Sequence, residues 1–163
     1  MDNRGFTLIE LLIVVVIIGI LALLLGTSFQ GTTAGYRIED EVKELHADLM
    51  TARSRALNLQ RVQFVQVNAG INAGNYQIYD DTNQNGALNI GAGDTALFSS
   101  AKTLSDNFIA GAVTYVMNTR GLVTNTGTIL FDKDTFTPDY DCILLSQTRI
   151  NMGQWNGTLC VIK

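Results

Sequence analysis

An apolar run at the start of the chain, with one acid inside it, constrains this sequence more than any other feature. Residues Leu11 to Leu25 are all apolar, Gly19 included, and extending the run back to Phe6 gives 20 residues interrupted at Thr7 and Glu10. As a helix such a run spans about 30 Å, the thickness of a bilayer core. Arg4 precedes it and is expected to stay on the cytoplasmic side, which sends the rest of the chain across. A secretory signal peptide fits poorly. The run outlasts the usual apolar region of such a peptide, no A-x-A pattern follows it, and Glu10 sits within it. A plain single-span anchor leaves Glu10 unexplained, because a lone carboxylate in an apolar helix costs several kcal/mol unless it is neutralised or paired.

Beyond the run, Gly26, Gly31 and Gly35 flank a loosened junction, Thr27 to Ala34, through which the helix is expected to continue with a bend. From Tyr36 an amphipathic pattern begins. Ile38, Val42, Leu45, Leu49, Ala52 and Ala56 form one helical stripe, predicting a helix over 36–60 that packs on the chain's own sheet. Acids open it (Glu39, Asp40, Glu41, Glu44, Asp48) and bases close it (Arg53, Arg55, Arg61), in the order the helix dipole favours. His46, the single histidine, reads as a solvated helix residue. From Val62 the period shifts towards two. Strands are expected at Val62–Val67, Tyr76–Tyr79, Ala96–Ser99, Val113–Met117, Thr128–Phe131, Cys142–Leu145 and Thr158–Ile162, separated by Gly- and Asn-rich turns. One long helix followed by closely spaced strands predicts an α+β fold: an antiparallel β-sheet over 62–163 folded against the helix's second half.

Cys142 and Cys160 are the two cysteines. On the far side of a membrane they are expected to form a disulfide closing a terminal loop, contributing roughly 3 kcal/mol by the chain-entropy model. Asp81, Asn83 and Asn85, followed by Gly86, resemble the first half of a calcium loop, with Asn89 further on. The position that should carry a bidentate Glu is Ala92, with Asp94 two residues later. Such Asp/Asn/Gly clusters also build ordinary hairpin turns, so a plain loop is the expected reading and calcium, as a cofactor, the alternative. A net charge of −4, from 15 acids against 11 bases, gives no bulk attraction to nucleic acid. No nucleophile motif, phosphate loop or zinc spacing stands out, and no enzymatic activity is expected.

Arg4-Gly5-Phe6-Thr7-Leu8-Ile9-Glu10, followed by the apolar run, resembles the class III signal of type IV pilins and type II secretion pseudopilins. The resemblance implies a leader, residues 1–5, removed by a prepilin peptidase cutting between Gly5 and Phe6 and methylating the new Phe6 amine. It implies a transmembrane and assembly helix over 6–27 and a globular domain over 28–163, outside the bacterial inner membrane in the periplasm. Glu10 would pair with the Phe6 ammonium of a neighbouring subunit. The fold implied is the pilin fold. The partners implied are other pilins or pseudopilins, the inner-membrane assembly platform and the inner membrane itself. Many major pilins carry proline where this chain has Thr27, a departure that fits a minor pilin or pseudopilin better. The later segments Asn118-Thr119-Arg120-Gly121, Thr128-Ile129-Leu130-Phe131 and Ser146-Gln147-Thr148-Arg149-Ile150 resemble GspH/FimT-type pseudopilins. Capture of DNA by a minor pilin in natural transformation is the alternative function; it needs a basic patch, and near the C-terminus the sequence offers Arg149 and Lys163 against Asp132, Asp134, Asp139 and Asp141.

Overall fold

A computed structural model describes residues 7–26, 29–69, 74–105, 108, 112–132 and 138–163. Helix α1 spans Leu8–Gly26 and helix α2 spans Phe29–Leu59. Helix α2 includes junction residues 29–35 as well as the amphipathic stretch expected over 36–60, because Gly31 and Gly35 weaken a helix without ending it. Thr27, within the expected bend, lies outside the described residues.

The stripe read from the sequence is the buried face of α2. Ile38, Val42, Leu45, Leu49, Ala52 and Ala56 are all core residues. The two alanines near its end let the helix axis approach the strands closely. Strands β1 (Gln63–Asn68), β2 (Asn75–Asp80), β3 (Thr95–Ala96), β4 (Lys102–Thr103) and β5 (Val113–Met117) form one antiparallel sheet ordered β3-β2-β1-β5, with β4 also on the outer edge of β2. In register, Val65 lies between Ile78 and Tyr115, and Val67 lies beside Tyr76. Alternation then puts all of these on the face that meets α2.

Strands β6 (Gly127–Leu130), β7 (Cys142–Leu145), β8 (Ile150–Trp155) and β9 (Cys160–Ile162) form a second antiparallel sheet in sequential order. The strands thus divide over two sheets instead of one, while keeping the expected α+β, pilin-like packing of helix on antiparallel strands. The join lies at the β5–β6 connection. Val123 bridges back to Met117, Asn125 bonds the backbone of β5 at Thr114 and Val116, and Phe108 bridges Phe131 with ring centroids 5.0 Å apart.

Several expected elements change. The strand at Ala96–Ser99 reduces to the two residues of β3, and that at Thr158–Ile162 begins only at Cys160. Strand β8 was not expected as a separate strand; its Asn, Gly and Gln residues dilute the β signal that sheet pairing on both sides makes good. His46 is half-buried and its Nε2 lies 3.1 Å from the Ile150 carbonyl oxygen, so it contacts β8 and is not simply solvated.

Candidate functional site

The start of α1 is built by a short local motif, Thr7-x-x-Glu10. Thr7 precedes the helix and Glu10 is its third residue, the spacing of a capping box. The Glu10 amide donates to Thr7 Oγ1 at 3.3 Å, and the Thr7 amide and hydroxyl reach back to Glu10 Oε2 at 3.5 and 3.4 Å. The Glu10 carboxylate is therefore turned towards the N-terminal end of its own helix, where the free amides and the helix dipole favour an anion. It reaches the amide of the residue that follows Phe6. Phe6 and Gly5 themselves lie outside the described residues.

Along α1, every large apolar side chain from Leu8 to Leu21 is at least half exposed, the least exposed being Val14 at 50%. Among the described residues no helix is long and apolar enough to cross a membrane; the run of 20 begins at Phe6, outside them. Among the described residues nothing covers the exposed aliphatic surface of α1.

Asp81, Asn83 and Asn85 do come together, in the loop after β2. Their oxygens are turned onto the loop's own donors. Asp81 accepts from the amides of Asn85 (3.1 Å) and Gly86 (2.9 Å), Asn83 Oδ1 accepts from the Asn85 amide (3.1 Å), and Asn85 Oδ1 accepts from the Ala87 amide (2.8 Å). Asn89 Oδ1 accepts from the side-chain amides of Asn83 and Asn85, and Asp94 Oδ2 accepts from the Asn89 amide at 2.6 Å. Asp94 Oδ1 is buried without a partner among the described residues. One orphaned oxygen falls well short of the roughly six to eight that calcium takes. No metal-holding group of three or more His, Cys, Asp or Glu occurs among the described residues. The plain-loop reading makes a direct forecast: millimolar calcium is expected to leave the thermal midpoint of the full chain unchanged, and an upward shift lost in Asp81→Asn would put the ion in this loop.

A disulfide joins Cys142 on β7 to Cys160 on β9, Cα to Cα 6.0 Å, passing over β8 on the face away from α2. The side of the molecule facing α2 is held by two polar clusters that no linear pattern announces. Arg55 pairs with Asp80 at 2.8 Å, and Asp80 also accepts from the buried Gln63 amide. Lys102 reaches Asp48 at 2.6 Å and Glu44 at 2.7 Å, beneath the Phe98 ring. Burial pulls the Lys102 ammonium down, but its bonds to Asp48 and Glu44 overcome this and hold it above the usual lysine range. Burial, followed by its bond to Asp48, pushes the Tyr76 phenol far up. Both shifts favour the protonated forms, a charged Lys102 and a neutral Tyr76, and with Asp48 they act as a clasp between β2, β4 and α2. They form no nucleophile–base pair.

Two family models match the chain. That of the prokaryotic N-terminal methylation motif covers residues 1–26, and that of the type II transport protein GspH covers residues 41–148. No curated protein and no solved structure gives a match.

Proposed function

The chain belongs to the type II transport protein GspH family, and from that premise we propose that it works as a minor pseudopilin, inserted in the inner membrane by α1 and assembled through α1 into a secretion pseudopilus or a type IV pilus. Its part is structural, and the family's role as a pseudopilin requires no active site of its own. The observation that carries the reading is the exposed aliphatic length of α1, continuous in sequence with a helix whose own apolar stripe is fully used on the sheets. A surface of that size and purity is covered by lipid or by other helices.

On this reading residues 1–5 form the leader, residues 6–27 the assembly helix, and residues 28–163 the periplasmic domain. A prepilin peptidase cuts after Gly5, where the missing side chain lets an enzyme approach the backbone, and methylates Phe6. Glu10 then carries the negative charge that a neighbour's Phe6 ammonium meets. The capping box supports that role: it holds the carboxylate at the helix N-terminus instead of out along the lipid-facing flank.

Processing is tested by intact mass. The wild-type chain from membranes is expected to lack residues 1–5 and to carry one added methyl. Gly5→Val is expected to keep the leader and the unmethylated mass. A wild-type chain that still begins at Met1, or a variant processed like the wild type, rules the reading out.

A further inference from the structure

Asparagine is among the chemically labile residues, and it is most so before glycine, which leaves the following amide nitrogen uncovered by any side chain. Two such pairs occur, Asn85-Gly86 and Asn156-Gly157, each in an exposed turn. By sequence alone the two are equivalent. Their hydrogen bonds are not. At Asn85 every atom that would react is held. The Gly86 amide donates to Asp81 Oδ2 at 2.9 Å, and Asp81 is buried. An amide nitrogen attacks only as it gives up its proton, and the carboxylate beside it repels the negative charge that would appear there. The Asn85 side-chain nitrogen donates to Asn89 Oδ1, and Asn85 Oδ1 accepts from the Ala87 amide at 2.8 Å.

At Asn156, in the β8–β9 turn, both reacting nitrogens are free and the oxygen is held. Among the described residues nothing accepts from the Gly157 amide or from the Asn156 side-chain nitrogen. Asn156 Oδ1 accepts from the Thr158 amide at 3.0 Å and from the Leu159 amide at 2.9 Å. These two donors point at the atom on which negative charge gathers when a nucleophile adds to the side-chain carbonyl carbon. The Asn156 amide donates to the Leu159 carbonyl at 3.2 Å, which closes the turn and keeps the donors in place. Residues 156–159 are all exposed, so water reaches them.

We propose that Asn156 is a site of spontaneous deamidation, and that Asp81 protects Asn85 from the same reaction. The chemistry is local and does not depend on the fibre role. The Gly157 nitrogen bonds to Asn156 Cγ and its proton passes to solvent. The Cγ–Nδ2 bond breaks, and the departing nitrogen takes up a proton and leaves as ammonia. A cyclic succinimide remains. Water then adds to either of its carbonyls and opens the ring, giving aspartate or isoaspartate. Nothing is oxidised or reduced. Both products put a carboxylate on a hairpin where no charged residue lies between Arg149 and Lys163 in sequence. Isoaspartate also routes the backbone through the side-chain carbon and lengthens the turn. Strand β9 stays attached through this change, because Cys160 is bonded to Cys142 on β7. A partner docked on the turn meets a neutral surface on a new chain and an anionic one on an aged chain.

The test follows both sites in the purified full chain, kept folded in detergent at mildly alkaline pH and sampled over time. Peptide mass spectrometry reads the conversion of amide to acid at each position, and an isoaspartyl methyltransferase with labelled methyl donor counts the isoaspartate. Asn156 is expected to convert about tenfold faster than Asn85, the factor that one hydrogen bond to a charged group supplies. In urea with the disulfide reduced, the two pairs are expected to convert at like rates, because only the folded turns distinguish them. Asp81→Ala is expected to raise the Asn85 rate and leave the Asn156 rate unchanged. The comparison with the unfolded chain stands whatever that substitution does to stability. Equal rates in the folded chain, or an Asn156 that stays intact there while the unfolded chain converts it, overturn the proposal. An Asn85 that remains protected in folded Asp81→Ala overturns the part given to Asp81.

Discussion

Glu10→Ala is expected, on the proposed pseudopilin role, to insert, lose its leader and fold its globular domain, yet be almost absent from the fibre. If Glu10 pairs with a neighbour's amine as proposed, removing one member of such a pair in a low-dielectric core costs about 3 kcal/mol or more, roughly a hundredfold in an incorporation equilibrium. The capping box complicates that substitution, because the same carboxylate reaches the Thr7 amide. Two companions separate the roles. Glu10→Gln keeps an acceptor that can reach back to the Thr7 amide, since Gln serves in a capping box, but loses the charge. Thr7→Val keeps the charge and loses the cap, at about 1 kcal/mol of helix stability. If charge pairing governs assembly, Glu10→Gln fails like Glu10→Ala and Thr7→Val assembles. The readout is the ratio of fibre-bound to membrane-bound chain. Normal incorporation of Glu10→Gln would remove the pairing role from Glu10.

Gly153→Ala is expected to be the most damaging single methyl in the second sheet. Gly153 lies on β8 where the disulfide crosses over that strand. An added Cβ would collide with the Val161 carbonyl oxygen and lie 2.8 Å from the Val161 carbonyl carbon and 2.9 Å from Cys160 Sγ. Backbone atoms cannot turn aside as a flexible side chain can, so β9 must shift away from β8. Overpacking of this kind costs about 3 kcal/mol, several degrees in the thermal midpoint of a chain this size. Replacing both Cys142 and Cys160 with Ala is expected to cost a similar amount, roughly 3 kcal/mol, by freeing the 18-residue separation. The two effects can be uncoupled. The nearest obstruction is the Val161 backbone and not the sulfur, so Gly153→Ala should stay destabilising in the chain without the disulfide. If its cost vanished there, the sulfur would be the obstruction and the placement of β9 against β8 would be wrong.

Much of the fold was legible because it depends on short-range periodicity. The stripe from Ile38 to Ala56 needed only a spacing of three and four to predict its buried face, and it is buried against β1 and β5 of the first sheet and β7 and β8 of the second. Val62–Val67 and Val113–Met117 announced themselves by β-branched and aromatic content, and they pair in register. Strand β8 did not, since Asn151, Gly153 and Gln154 satisfy a central strand through the partners on both sides and not by propensity. The Thr7–Glu10 cap is present in the sequence as a T-x-x-E spacing, embedded in an apolar run whose length signals a bilayer span more strongly than a local cap.

By itself the sequence determined what kind of surface each segment must hide: an aliphatic length for α1, a single stripe for α2, alternate residues in the strands. These are local properties, set by side-chain type and by the 3.6- and 2-residue periods. Only the tertiary structure decided which charges become neighbours. Arg53, Arg120 and Arg149 are separated by up to 96 positions and meet at one tip because two hairpin turns fold onto the end of one helix. Electrostatic energy depends on distance in space, and no count of acids and bases along a chain contains that distance.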